Sequence, residues 1–397
     1  MTVCELKSTG ILALIFACRM LGLFMILPIL TLYTEHIPSA TPVLMGLAAG
    51  IYGFTQAFMQ FPCGILSDHF GRKPVILAGL GIFIFGSLVA AFFPTMIGLI
   101  IGRALQGVGA VGSPMLAYVA DVTRAQVRTK AMAIIGISIG LSFVLAMILG
   151  PIFDAQVQLQ GLFVITALLG MGSLVLVQGL PTLPQDTFQD KTRVKIPLKA
   201  LLQHQGLWRL ALSIFLLHAV LVATFLSLPH QIQALSPLVS PWQFYVLVLA
   251  IALVLMVPLL RLADDAQWQK RLLPWMMLGL GLATLFLGMT SQFGILLVAA
   301  VLFFFTFNYL EASFPAIVSQ LVPEKSRGSA LGIYSFAQFL GMFSGGIVGG
   351  CLQQWFGLVG IAIGCTALAG IGWLTLRQLN YQHPAVTALA TQTPEPL

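Results

Sequence analysis

Four side chains that hold or can take up a charge stand inside long apolar stretches of this 397-residue sequence: Arg19, Arg103, His218 and Glu311. Ionisable groups are costly in hydrocarbon. Where they occur they face a bundle interior or a water-filled cavity, pair with one another, and mark ion or substrate pathways. Glu311 has the chemistry of a proton carrier, because a carboxyl group withdrawn from bulk water can be loaded and unloaded by a modest pH difference. His218 is a second titratable group, and its imidazole changes charge near neutrality when unperturbed. A hydrogen-bonded interior histidine and a structural ion pair of Glu311 are the plainer readings of the same two residues. Arg19 lies 199 residues before His218 and reads as a fixed charge facing a cavity, tuning a carboxylate or attracting an anionic substrate. Arg103 must face a partner or water, since burying an Arg costs at least about 2.5 kcal/mol.

Uncharged polar residues stand near these four. Tyr52, Gln56 and Gln60 recur every four residues, which is one helical face; Asn308 precedes Glu311 by three; Tyr334 and Gln338 are again four apart. Tyr52, Gln56, Asn308, Tyr334 and Gln338 are therefore candidate substrate-cavity residues. The 28 Phe and 15 Met suit a cavity that takes varied amphipathic molecules, although lipid-facing Phe accounts for much of that composition.

The elements that must position these residues follow from composition. The chain is 58% hydrophobic and 8% charged, whereas a soluble domain carries about 25% charged residues. Soluble enzymes and nucleic-acid-binding proteins are excluded on that ground. A window of about 20 apolar residues, the length that spans about 30 Å of hydrocarbon, picks out twelve runs. They lie near 9–34, 42–65, 74–94, 96–120, 130–152, 160–180, 208–229, 241–260, 272–290, 292–320, 329–351 and 354–377. Continuous apolar runs exclude a transmembrane β-barrel. If the twelve spans alternate in direction, 17 of the 19 Lys and Arg fall in loops on the side where the chain begins, and the other two are Arg19 and Arg103 inside spans. That is the positive-inside pattern, and it puts both termini in the cytoplasm. The net charge of +7 is then topology, and no nucleic-acid partner is expected.

The expected organisation is an N-terminal six-helix bundle over 1–180, a cytoplasmic linker over 181–206, a C-terminal six-helix bundle over 207–378 and a polar cytoplasmic tail over 379–397. The halves are weakly self-similar: Arg128-Thr-Lys-Ala-Met-Ala-Ile134 aligns with Arg327-Gly-Ser-Ala-Leu-Gly-Ile333, and Gly150 with Gly349, all at an offset of 199 residues. The predicted fold class is thus an all-α membrane protein with twelve transmembrane helices in two six-helix bundles, the architecture of a secondary transporter. No cleavable signal peptide is expected, since the first apolar run has full span length and carries Arg19. The five cysteines have no metal-ligand spacing.

The loop between the second and third spans reads Gly64-Ile-Leu-Ser-Asp68-His-Phe-Gly71-Arg72-Lys73-Pro74. Gly64 permits close helix contact, Gly71 a tight turn, and Asp68 sits at a helix end where Arg72 can neutralise it. This loop resembles the signature loop of the major facilitator superfamily. The resemblance implies a conformational latch made of Gly64, Asp68, Gly71, Arg72 and Lys73, with Asp121 at the end of the fourth span as acidic partner and Arg128 nearby. His69 departs from the family, which usually has Arg there. Arg103-Ala-Leu-Gln-Gly107 resembles the family's Arg-x-x-x-Gly motif, associated with proton transfer. Gly136, Gly140, Gly150 and Pro151 partly resemble the Gly-Pro motif of drug/proton antiporters, with Phe153-Asp154 where that motif continues to a Gly pair. Overall the chain is similar to a bacterial inner-membrane drug:proton antiporter subgroup in which a His and a Glu in segments matching Leu217-His218 and Leu310-Glu311 take part in proton coupling.

The resemblance implies a monomeric, multi-pass protein of the bacterial inner membrane that exports small amphipathic organic molecules by alternating access. It would be driven by a proton gradient and need no cofactor, with protons, substrate and the lipid bilayer as its partners. A proton symporter importing a nutrient, a dedicated exporter of a siderophore or sugar, and a non-transporting membrane sensor are the alternatives. An enzyme is not expected, because no nucleophile motif, His/Asp metal cluster or phosphate-binding Gly-Lys loop stands out.

Overall fold

The computed structural model describes residues 1–34, 36–109, 111–181, 204–235, 239–262, 266–322 and 327–379. Most of the expected linker and tail, 182–203 and 380–397, lies outside the described residues. Among the described residues there is no strand. The helices are α1 Val3–Ile26, α2 Pro42–Phe70, α3 Arg72–Phe92, α4 Met96–Val108, α5 Gly112–Val122, α6 Ala125–Gln178, α7 Gln205–Phe225, α8 Leu228–Leu235, α9 Pro241–Leu262, α10 Ala266–Met289, α11 Phe293–Leu321 and α12 Arg327–Arg377. A 3₁₀ turn, Leu30–Tyr33, follows α1.

Local chemistry sets several of the helix starts. Thr2 and Glu5 cap α1 reciprocally, the Thr2 amide donating to Glu5 Oε2 at 2.6 Å and the Glu5 amide to Thr2 Oγ1 at 3.3 Å. Thr41 accepts from the Leu44 amide at 3.2 Å just before Pro42 fixes the first turn of α2. Thr95 does the same for α4 through Gly98. Between α2 and α3 the chain reverses on Gly71 alone, at φ 90°, a conformation that glycine adopts without steric cost.

Ten helical stretches among the described residues are long and apolar enough to cross a membrane. The twelve predicted runs reduce to ten because the fifth and sixth share α6, 54 residues long, and the eleventh and twelfth share α12, 51 residues long. Each long helix is broken at one residue, Gln158 (φ 58°, ψ −178°) in α6 and Gly357 (φ 62°, ψ −151°) in α12. At about 1.5 Å per residue either helix would run to about 80 Å if straight, more than twice the hydrocarbon thickness. Instead α6 folds back. Its two arms meet the same stretch of α1, with Gly150 against the backbone of Met25 and Thr166 Oγ1 donating to the Gly22 carbonyl at 3.2 Å. The fourth predicted run is split into α4 and α5, where glycines at 107, 109 and 112 weaken the helix.

The offset of 199 residues recurs in the backbone. Helix ends Ile26 and Phe225, helix starts Pro42 and Pro241, helix ends Gln178 and Arg377, and the breaks at Gln158 and Gly357 are all separated by it. Cations close helix C-termini in the same register: Arg128 donates to the Ala120 carbonyl at 3.0 Å, and Arg327, 199 residues on, to the Ser319 carbonyl at 2.9 Å. Lys73 caps α6 through the Gln178 and Leu180 carbonyls at 3.2 and 3.3 Å. A cation at a helix C-terminus satisfies orphan carbonyls and the negative end of the helix dipole together.

The segments before and after 182–203 meet chiefly through α2 and α12. No space exists for a Cβ at Gly46, which would overlap the Gly346 carbonyl, nor at Gly346, which would overlap that of Gly46. Ring contacts continue the seam, Phe54 with Phe343 at 4.8 Å and Phe58 with Phe336 at 5.5 Å. Beyond Phe58, toward the Gly71 turn, Phe61, Ile65 and Phe70 are exposed.

Candidate functional site

Three polar clusters interrupt the apolar interior. The first joins α7, α11 and α12. Gln338 on α12 stands between His218 on α7 and Glu311 on α11: its amide nitrogen is 3.0 Å from His218 Nε2 and donates to Glu311 Oε1 at 3.0 Å. His218 Nδ1 lies 3.3 Å from the Ile214 carbonyl, which can only accept. The ring therefore donates from Nδ1, and Nε2 is left as the acceptor for Gln338. The second carboxyl oxygen, Glu311 Oε2, is 3.8 Å from His218 Nε2 and has no hydrogen-bond partner among the described residues. The histidine side chain is 6% exposed and the glutamate 35%. Part of the Glu311 side chain is thus exposed while its Oε2 is buried, and His218 stands behind it in contact with the ring of Phe307. Asn308 Nδ2 and the Tyr334 hydroxyl are buried nearby in sequence on the same two helices, and neither has a hydrogen-bond partner among the described residues.

The second cluster joins α1, α2, α3 and α4. Arg19 is fully buried and donates to Tyr52 Oη at 3.1 Å and Gln56 Oε1 at 3.0 Å, with its guanidinium over the Phe83 ring at 5.6 Å. Its Nε and one terminal nitrogen have no hydrogen-bond partner among the described residues. Arg103 covers the face of the same Tyr52 ring at 5.1 Å. It donates to Gln106 Oε1 at 2.9 Å and to the carbonyls of Ala48 and Ala49 at 3.4 and 3.5 Å. Gln106 passes the chain on to Ser87 at 2.8 Å. Tyr52 and Gln56 are thus sealed, at 0% and 1% exposure, as the polar support of two guanidinium groups. Gln106 and Ser87 belong to no motif in the sequence, although the spacing of three between Arg103 and Gln106 puts that pair on one helix face.

The third cluster lies at the Gly71 turn. Arg72 is buried, with Nε 2.9 Å from Asp121 Oδ2 and a terminal nitrogen 2.5 Å from Asp68 Oδ1 and 2.7 Å from Ser67 Oγ. This ties α2, α3 and α5 together. Gly64 packs beside Ser113 on α5. Arg128 caps α5 instead of reaching the carboxylates, and Lys73 caps α6. A further tie, not read from the sequence, joins the start of α1 to the turn before α6: Glu5 Oε1 accepts from the amide and Nε of Arg124 at 3.1 and 2.9 Å.

A helical, multi-pass membrane protein that gathers buried charged side chains into polar clusters among its described residues is a membrane transporter in outline. The chain belongs to the Major Facilitator Superfamily, whose profile matches residues 12–274. It is 38% identical over 400 residues to the inner membrane transport protein YajR of Escherichia coli (strain K12), covering 99% of this chain and 87% of that protein. The class B tetracycline resistance protein of Escherichia coli is 32% identical over 174 residues, 43% of each chain. Among solved structures, a bacterial homolog to the human lysosomal transporter Spinster, in an inward-facing and occupied conformation, superposes with a TM-score of 0.76 at 13% identity, covering 95% of this chain and 97% of that one. This last likeness speaks for the fold alone.

Proposed function

We propose that the protein is a proton-coupled transporter of the bacterial inner membrane that exports small amphipathic organic molecules by alternating access. The observation that carries this reading is the Glu311–Gln338–His218 cluster, a partly exposed carboxyl side chain with one buried oxygen unpartnered and an imidazole 3.8 Å from it. Such a pair in a membrane interior is suited to take a proton from one side and give it to the other. In this reading α6 and α12 each cross the membrane twice, giving twelve crossings in two six-helix bundles, 1–180 and 207–378, with both termini cytoplasmic. The two bundles rock about a central site bordered by Glu311, Asn308 and Tyr334, and no cofactor is required beyond the proton gradient. Asp68, Arg72 and Asp121 hold the cytoplasmic ends of α2, α3 and α5 as one body during that motion. Close packing along Gly46–Gly346, with Phe61, Ile65 and Phe70 exposed at the other end of α2, supports a conformation open to the cytoplasm in this reading. Partial similarity to a tetracycline resistance protein favours export over import.

The test is transport in proteoliposomes of a compound chosen from a toxicity panel on a deletion strain. Glu311→Gln is expected to abolish accumulation driven by a pH gradient. Gradient-driven transport that survives Glu311→Gln would falsify the coupling, and flux only along the direction of proton flow would replace export by symport.

A further inference from the structure

We propose that Gln338 is the positioning residue that converts proton transfer between Glu311 and His218 into movement of α12 against α2. The inference rests on the proton-coupled reading above and concerns how the proton is felt. One amide serves two acceptors here, and both of its hydrogens are spent: one on His218 Nε2 and one on Glu311 Oε1. That arrangement is consistent with only some protonation states. A proton on Glu311 Oε2 leaves both acceptors in place, so loading the carboxyl there is silent to Gln338. Transfer of that proton to His218 Nε2 is not silent. The O–H bond breaks and the N–H bond forms, a carboxylic acid and a neutral ring become a carboxylate and an imidazolium, and total charge is unchanged. Nε2 then carries a hydrogen aimed at the amide nitrogen, and two donors face each other at 3.0 Å. The amide must rotate to offer its oxygen to the ring, and Glu311 Oε1 loses its donor. A buried donor or acceptor left unsatisfied destabilises the state that holds it and so biases a two-state element toward the arrangement that restores both bonds.

The element is within reach. The residue after Gln338 is Phe339, whose carbonyl lies where a Cβ on Gly53 of α2 would stand and whose ring is 6.5 Å from that of Tyr52. Tyr52 is in turn held by Arg19 through its hydroxyl and by Arg103 across its face. Two turns further along α12 is Gly346, the tightest point of the α2 seam. Proton site and seam are therefore parts of one continuous helix, in contact with the two buried guanidinium groups through a single aromatic pair. The titratable and charged groups that face this region are His218 from α7, Glu311 from α11 with Tyr309 on the same helix, Tyr52 from α2 with Arg19 and Arg103 behind it, and Tyr334 one turn earlier on α12 itself. Helix α10 meets α12 beyond the Gly357 break, at Thr366 and Gly372.

The experiment needs no substrate. Spin labels at Phe61→Cys and Leu331→Cys, in an otherwise cysteine-free protein in nanodiscs, report the separation of α2 and α12 at the Gly71 end as pH is varied through neutrality. Infrared difference spectra of the same samples report protonation of the Glu311 carboxyl and, separately, conversion of the His218 ring to imidazolium. In the wild type the distance is expected to follow the imidazolium signal and to ignore the carboxyl signal. Gln338→Met, similar in shape but without donors, should keep the imidazolium signal and lose the distance change. Gln338→Asn, whose amide is one methylene too short to reach both partners, should behave the same way, so one unstable variant leaves the other to decide. A wild-type distance change in either Gln338 variant overturns the proposal for Gln338 alone. A distance change that persists in Glu311→Gln, or a wild-type distance that ignores pH, overturns the proton-coupled reading with it.

Discussion

Thr31 and His230 are 199 residues apart in the sequence and bonded in space, His230 Nε2 donating to the Thr31 carbonyl at 2.9 Å. Two repeats related by a twofold axis would bring such a pair together only near that axis, and the contact lies at the end of the molecule away from Gly71. Thr31 adds a second bond across the same junction, its hydroxyl donating to the Phe225 carbonyl at 3.4 Å.

His230→Ala removes the first of these bonds from the closed end. A net contribution of about 0.5–1.5 kcal/mol predicts a shift of up to about tenfold toward the conformation open at that end. The labelling rate of a cysteine placed at Gln233, beside His230, should rise accordingly in intact cells. An unchanged rate would mean that the junction does not contribute to closure.

Gly346→Val acts on the same end by steric means. Backbone and not a flexible side chain occupies the space a Cβ would need, and overpacking of this kind costs about 1–3 kcal/mol. Crosslinking between cysteines at Val43 and Ile347 should fall relative to wild type. Transport should fall with it, while the melting temperature in detergent stays within a few degrees.

Arg72 has two acidic partners of unequal value. Its bridge to Asp121 is buried on both sides, at 1% and 6% exposure, whereas Asp68 is 50% exposed. Removing one member of a buried pair costs about 3–5 kcal/mol, and an exposed pair contributes about 0–1 kcal/mol. Asp121→Ala is therefore expected to lower unfolding stability in detergent far more than Asp68→Ala. Equal losses would show that the two bridges work as one network.

Gln158→Gly should stabilise the protein. The φ 58°, ψ −178° conformation is one that only glycine holds without strain, and a side chain there costs about 1–3 kcal/mol. Gly357→Gln at the matching break should destabilise by a similar amount. Denaturant midpoints of the two variants moving in the same direction would sink this account.

Much of this architecture is legible in the sequence because the lipid imposes it: apolar run lengths locate the helices, and the cation pattern orders them. The offset of 199 was visible at Arg128 and Arg327, and the structure shows both residues capping a helix eight residues upstream. The way the fifth run turns back into the sixth was not visible, because residues 153–160 contain neither Pro nor Gly and the turn is made by a strained conformation at one Gln. Tyr334 and Gln338 lie one turn apart on α12, as their spacing of four implies. That Gln338 would span His218 and Glu311, while Tyr52 and Gln56 would be occupied by Arg19, depends on which helices meet, and no local pattern carries that.

The loop cations have a second employment. Arg128, Arg327 and Lys73 hold the carbonyls that end α5, α11 and α6, so cations expected to set the insertion direction also finish helix ends. Charge-reversal experiments of the kind used to invert membrane topology would therefore unravel helix ends here at the same time. A neutral analogue that keeps the donor but not the charge would separate address from anchor.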